Sequence, residues 1–172
     1  MRPASLLFAV LTGLALAAPA AAQDAARRGP YFVEFRARAG GVLGHTFIIY
    51  GRVDGRGREL ERRYAGLYPR ETWEPALMSL GPLVVAPAYI GSDPKDRELP
   101  PTVTYRVSLS AGEFARMTGT VQRLQTKPRW NLIFHNCNDF VAQVAQSIGM
   151  WTPPSLVSPA VYVRSLRAMN RS

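Results

Sequence analysis

The chain has 172 residues, 47% of them apolar and 19% charged, which fits one domain with a real core and excludes global disorder. Fourteen Gly and fourteen Pro argue for many turns and against a plain helical bundle, while a single Cys excludes an internal disulfide framework and a multi-cysteine zinc site. The net charge of +9 rests on 19 Arg and 2 Lys scattered along the chain, so no nucleic-acid partner is expected, and with only two His no cofactor or metal is expected either.

The chain opens with the order of an export signal. Arg2 is a short positive region, residues 6–18 are apolar apart from Thr12 and Gly13, and Ala20-Ala21-Ala22 supplies small residues before a cleavage point at Gln23. The stretch is too short and too rich in small residues for an anchor helix, and no later segment reaches 18 apolar residues. The expected organisation is therefore a signal over 1–22, a flexible leader over 23–30 and one catalytic-type domain over 31–172. The protein is expected in the periplasm or outside the cell, with no membrane span after processing.

Residues 31–38 alternate, Tyr31, Val33, Phe35 and Ala37 against Glu34, Arg36 and Arg38, which predicts a strand with Phe32 on its polar face. A second strand is predicted over 45–53, rich in β-branched and aromatic residues. Asp54-Gly55-Arg56-Gly57 is a turn signal, and 58–65 reads as the returning strand of a hairpin. A short helix is expected over 72–79, strands over 81–90 and 102–109, and a polar loop over 91–101.

The helical signals are sharper. Ser110 and Glu113 form a capping box ahead of Phe114, Met117, Val121 and Leu124 at helical spacing, with Pro128 beyond the end. Residues 130–134 read as a short strand or extended lead-in. Phe140, Val141, Val144, Ala145 and Ile148 mark one face of a helix that Gly149 stops, and Ser158-Pro159 opens a last one. The order predicts an α+β fold, an antiparallel sheet packed with helices.

The chemistry concentrates in Phe134-His135-Asn136-Cys137-Asn138-Asp139-Phe140-Val141. Asn136 and Asp139 have capping-box spacing, which makes Cys137 the first helical residue. Free N–H groups and the positive end of the helix dipole favour a thiolate there. The base must be one of two imidazoles. His135 is two residues away; His45, in Gly44-His45-Thr46-Phe47, opens a predicted strand that can be laid beside the helix. Against this stand plainer readings: a buried inert Cys137, a structural His45, and His135, Asn136 and Asn138 as turn and cap residues. Asn138 or the Cys137 N–H are candidates for an oxyanion site, and His135 and Asn136 for helpers.

Asn-Cys-Asn-x-Phe-Val at a helix start, with Gly-His-x-Phe upstream, resembles the circularly permuted papain-like, NlpC-like group of cysteine hydrolases, which includes lecithin-retinol acyltransferase-like and PPPDE-like enzymes. Tyr64-Ala65-Gly66-Leu67-Tyr68-Pro69 is similar to a Gly-Phe-Tyr-Pro segment of bacterial members, with Leu67 in place of Phe. The resemblance spans residues 31–149. It implies Cys137 as nucleophile and His45 as base, because the His strand of that group precedes the Cys helix. The third polar residue has no counterpart here; Glu59 and Glu61 are the nearest candidates. The activity expected is that of an exported thiol hydrolase cleaving an amide bond, with a peptide or peptidoglycan-like substrate. The alternatives are an acyltransferase or lipid-active enzyme using an apolar groove built from Met78, Leu83, Val84, Val85 and Trp151, and a non-catalytic binding or toxin-like module.

Overall fold

Alternating and β-branched segments need partners for both their backbone groups and their apolar faces, and here they find them in one antiparallel sheet. The computed structural model describes residues 29–40, 44–70 and 85–171. The signal over 1–22, the helix expected over 72–79 and residues 81–84 lie outside the described residues, as does most of the leader.

The strands are β1 (Tyr31–Arg38), β2 (His45–Val53), β3 (Glu59–Pro69), β4 (Ala86–Gly91), β5 (Pro101–Leu109) and β6 (Arg129–Trp130). They form a six-stranded sheet in the order β5-β1-β2-β3-β4-β6, every pair antiparallel. β1 and β2 keep the predicted bounds. β3 runs on past residue 65: where it parts from β2 it pairs with β4, Gly66 opposite Gly91 and Tyr68 opposite Tyr89.

Four helices are described: α1 (Lys95–Glu98), α2 (Ala111–Gln125), α3 (Cys137–Ser147) and α4 (Pro159–Met169). The capping boxes expected for α2 and α3 are both closed, Ser110 with Glu113 and Asn136 with Asp139, satisfying first-turn N–H groups. α4 has Ser158 at its N-cap and Pro159 in its first turn, where a missing N–H costs nothing. Among the described residues no helix is long and apolar enough to cross a membrane.

Three expectations are corrected. The loop over 91–101 contains α1, opened by Asp93-Pro94, with Asp93 Oδ1 accepting from the Lys95 N–H at 2.8 Å. The strand over 130–134 shrinks to β6, because Asn131 Oδ1 gathers the N–H groups of Ile133 and Phe134 at 2.9 Å each and turns the chain. The polar face of β1 is largely buried. Phe32 clusters with Phe47 and Ile49 beneath the Arg106 guanidinium, 3.6 Å from the ring centroid.

The main core lies on the other face. Val33, Phe35, Ala37, Ile48 and Leu67 of the sheet pack against Met117 and Val121 of α2, Phe140, Val141 and Val144 of α3, and Tyr162, Val163 and Leu166 of α4. Burying a side chain of this size contributes roughly 1.5–3 kcal/mol. This packing sets the N-terminus of α3, with Cys137, against the start of β2, where Thr46 bonds Asn138.

Candidate active site

Cys137 is the first residue of α3 because Asn136 caps it. Asn136 Oδ1 accepts from the N–H groups of Asn138 (2.8 Å) and Asp139 (3.2 Å), and its Nδ2 donates to the Leu132 carbonyl at 3.0 Å. The N–H of Cys137 faces its own sulfur. The sulfur also lies within reach of the Thr46 N–H and hydroxyl. That hydroxyl carries one proton and donates it to Asn138 Oδ1 at 2.9 Å, so it serves the amide or the sulfur, never both.

These contacts do not make a ready thiolate. Burial pushes the Cys137 thiol above its ordinary value, against the pull of the Thr46 hydroxyl and N–H and of the Asn138 and Cys137 N–H groups. The thiolate expected from the helix terminus alone is therefore corrected: desolvation outweighs the hydrogen-bond donors around the sulfur. His45 is shifted the other way from a free imidazole. Burial, then the positive charge of Arg38, holds it far below the ordinary value, at about 3. Thiol and imidazole are thus both neutral near pH 7.

Strand alternation decides where His45 goes. Thr46 points to the helix face with Ile48, and His45 to the opposite face with Phe47, whose ring is nearly parallel to it at 6.1 Å. His45 pairs with Arg38 on β1 and packs its ring on Tyr68 of β3, centroids 4.4 Å apart. Cys137 and His45 both line one cavity of about 620 Å³. Its walls are mainly apolar, with Leu67, Trp130, Ile133 and Leu156 among them, and Arg70, Asp93 and Lys95 supply charge.

In the wall of this cavity, through Arg38 and Tyr68, runs a buried polar chain that the sequence reading missed. Arg38 Nε donates to Asp96 Oδ1 at 2.7 Å, and the Tyr68 hydroxyl donates to Asp96 Oδ2. Asp96 is 2% exposed and Arg38 6%. The available signal was Asp93-Pro94, which opens α1 and carries Asp96 inward.

The other expected residues are placed as follows. His135 is exposed and lines a separate cavity with Asp139 and Gln143, away from Cys137. Asn136 and Asn138 line the Cys137 cavity, but their amides are engaged: Asn138 Nδ2 donates to the carbonyls of Ser155 (2.8 Å) and Val157 (2.9 Å). Both Asn side chains brace the backbone, and the Cys137 N–H stays among the donors that face the sulfur. Glu59 pairs with Arg62 and Arg106 and Glu61 with Arg63, all remote from the cavity lining. Of the residues expected to form an apolar groove, Val85 and Trp151 are exposed and outside the lining, and Met78, Leu83 and Val84 lie outside the described residues.

Compared with known proteins, the chain matches no family description, no curated protein and no solved structure.

Proposed function

We propose that the protein is an exported thiol hydrolase in which Cys137 and His45 cleave an amide bond, on a permuted papain-like arrangement with the His strand ahead of the Cys helix. The observation that carries this reading is that Cys137, first residue of a capped helix, and His45, first residue of β2, line one cavity. In the reaction the Sγ–H proton passes to His45 as sulfur bonds to the substrate carbonyl carbon. The Cys137 N–H faces the developing oxyanion. The tetrahedral species collapses, the C–N bond breaks and His45 returns the proton to the leaving amine. Water then cleaves the thioester. Peptides of the cell-wall type are the substrate class that fits an exported amidase.

The apolar walls favour a second reading, in which the same pair acts on an acyl chain and passes it to water or another acceptor. The test is a comparison of a synthetic stem peptide with a p-nitrophenyl acyl ester, using the wild type, Cys137→Ser and His45→Ala. Turnover lost in both variants supports thiol catalysis, and the substrate turned over chooses between the readings. Turnover of neither substrate, together with a thiol that resists alkylation until the chain unfolds, overturns both.

A further inference from the structure

The His45 ring has one nitrogen that the proposed hydrolysis does not use. Nε2 is buried and has no hydrogen-bond partner among the described residues. It lies over Gly66: a Cβ built there would come 2.7 Å from Nε2 and 2.6 Å from the Tyr68 hydroxyl oxygen. Two polar atoms from different strands therefore converge on the space left by one missing side chain. Gly66 and Tyr68 are two apart on β3, hence on one face.

The Tyr68 hydroxyl has one proton, and Asp96 Oδ2 holds it. Its oxygen can then only accept. The atom facing it across Gly66 is His45 Nε2, which can serve it only as an N–H donor. Tyr68 itself is fixed from three sides: by Asp96, which Arg38 clamps; by the ring of Tyr89, centroids 5.0 Å apart; and by the ring of His45.

We propose that Tyr68, held by Asp96 and Arg38 and admitted by Gly66, is the positioning residue that orients His45 through Nε2–H. The inference rests on reading His45 as the base of Cys137. With the proton on Nε2, Nδ1 carries the lone pair that takes the thiol proton, since the bond made by one ring nitrogen decides which form the other adopts. The Nε2–H···Oη contact closes in the substrate complex, as catalytic hydrogen bonds that are long in the free enzyme do. The proton on Tyr68 stays in place throughout: burial and the neighbouring Asp96 push its release far above the ordinary phenol range. The group is thus a tyrosine–carboxylate–arginine chain in the place where Glu59 and Glu61 were sought.

The full chain has only His45 and His135, so ¹⁵N NMR of the imidazoles resolves the ring at issue. The wild type is expected to show His45 with at least about nine-tenths of the proton on Nε2. Tyr68→Phe keeps the ring packing and removes the oxygen. It should mix the two tautomers and slow alkylation of Cys137 by iodoacetamide about tenfold. Gly66→Ala should disturb the His45 signals in the same sense. A wild-type His45 carrying its proton on Nδ1 overturns the proposal whatever the variants do. So does a folded Tyr68→Phe protein with wild-type tautomer and alkylation rate. If Tyr68→Phe shifts the tautomer but His45→Ala leaves alkylation unchanged, Tyr68 does orient His45, and it is the Cys137–His45 hydrolase reading that falls.

Discussion

Replacing Asn138 by Ala separates a brace from a catalytic amide. Asn138 is 3% exposed and makes three hydrogen bonds of 2.8–2.9 Å, one from Thr46 and two to the carbonyls of residues 155 and 157. At about 1 kcal/mol net for each bond, and with water reaching the freed loop carbonyls, the loss is about 3 kcal/mol. For a domain of this size that lowers Tm by about 10 °C. Asn138→Asp keeps the shape and the acceptor for Thr46 but turns both donors into acceptors facing carbonyl oxygens, so it should be at least as damaging at pH 7. Thermal and urea unfolding followed by circular dichroism measure both. A Tm within about 2 °C of wild type for Asn138→Ala, combined with a large fall in turnover, would show that the amide serves the oxyanion and refute the brace.

Iodoacetamide labelling of folded Cys137 should be slow at pH 7 and rise with a midpoint above the value of 9.0 for a free thiol, because burial raises it; a midpoint below that value contradicts the reading. His45 is held neutral with its pKa lowered from 6.5 to about 3. The unfolded chain therefore binds a proton there between these values that the folded chain refuses. The stability this group confers is complete above pH 6.5 and is lost as pH falls toward 3, at up to about 1.4 kcal/mol per pH unit. Urea titrations from pH 7 to 4 should show a shallower slope in His45→Phe than in wild type. Asp96→Ala should cost about 3–5 kcal/mol by leaving Arg38 buried without its partner, whereas Arg38→Met with Asp96→Leu should cost less than Asp96→Ala alone; equal losses would deny the pair its coupling.

The fold was legible where local chemistry and tertiary context agree. Alternation in residues 31–38, the capping pairs Ser110/Glu113 and Asn136/Asp139, and Ser158-Pro159 are signals written within a few residues, and each element appears where it was expected. What failed was decided by a distant partner in one case and by a competing side-chain turn in the other. The buried second face of β1 depends on Phe47 and Ile49 of β2 and on Arg106 of β5, so the alternation of β1 alone could not reveal it. The apolar run over 130–134 read as a short strand or extended lead-in, but the Asn131 side chain, bonding N–H groups two and three residues on, bends the chain instead.

The site shows the same division. That Cys137 begins a helix follows from its neighbours, and that His45 begins a strand follows from the residues after it. Their relation depends on strand parity. Thr46, one position along, turns to the helix face and meets the sulfur and Asn138, so His45 must turn to the face of Phe47 and Tyr68. A single strand thus hands Thr46 to the Cys137 sulfur and His45 to the buried Arg38–Asp96–Tyr68 chain, and Cys137 and His45 line one cavity. Placing the imidazole there secludes it from water more than it brings it charge: desolvation is the larger cause of its lowered pKa, and it also raises that of the thiol. In the proposed hydrolysis, a pair neutralised in this way passes its proton during the attack on substrate, not before it. It is the orientation of the neutral ring, which no local sequence signal encodes, that decides whether the lone pair faces sulfur.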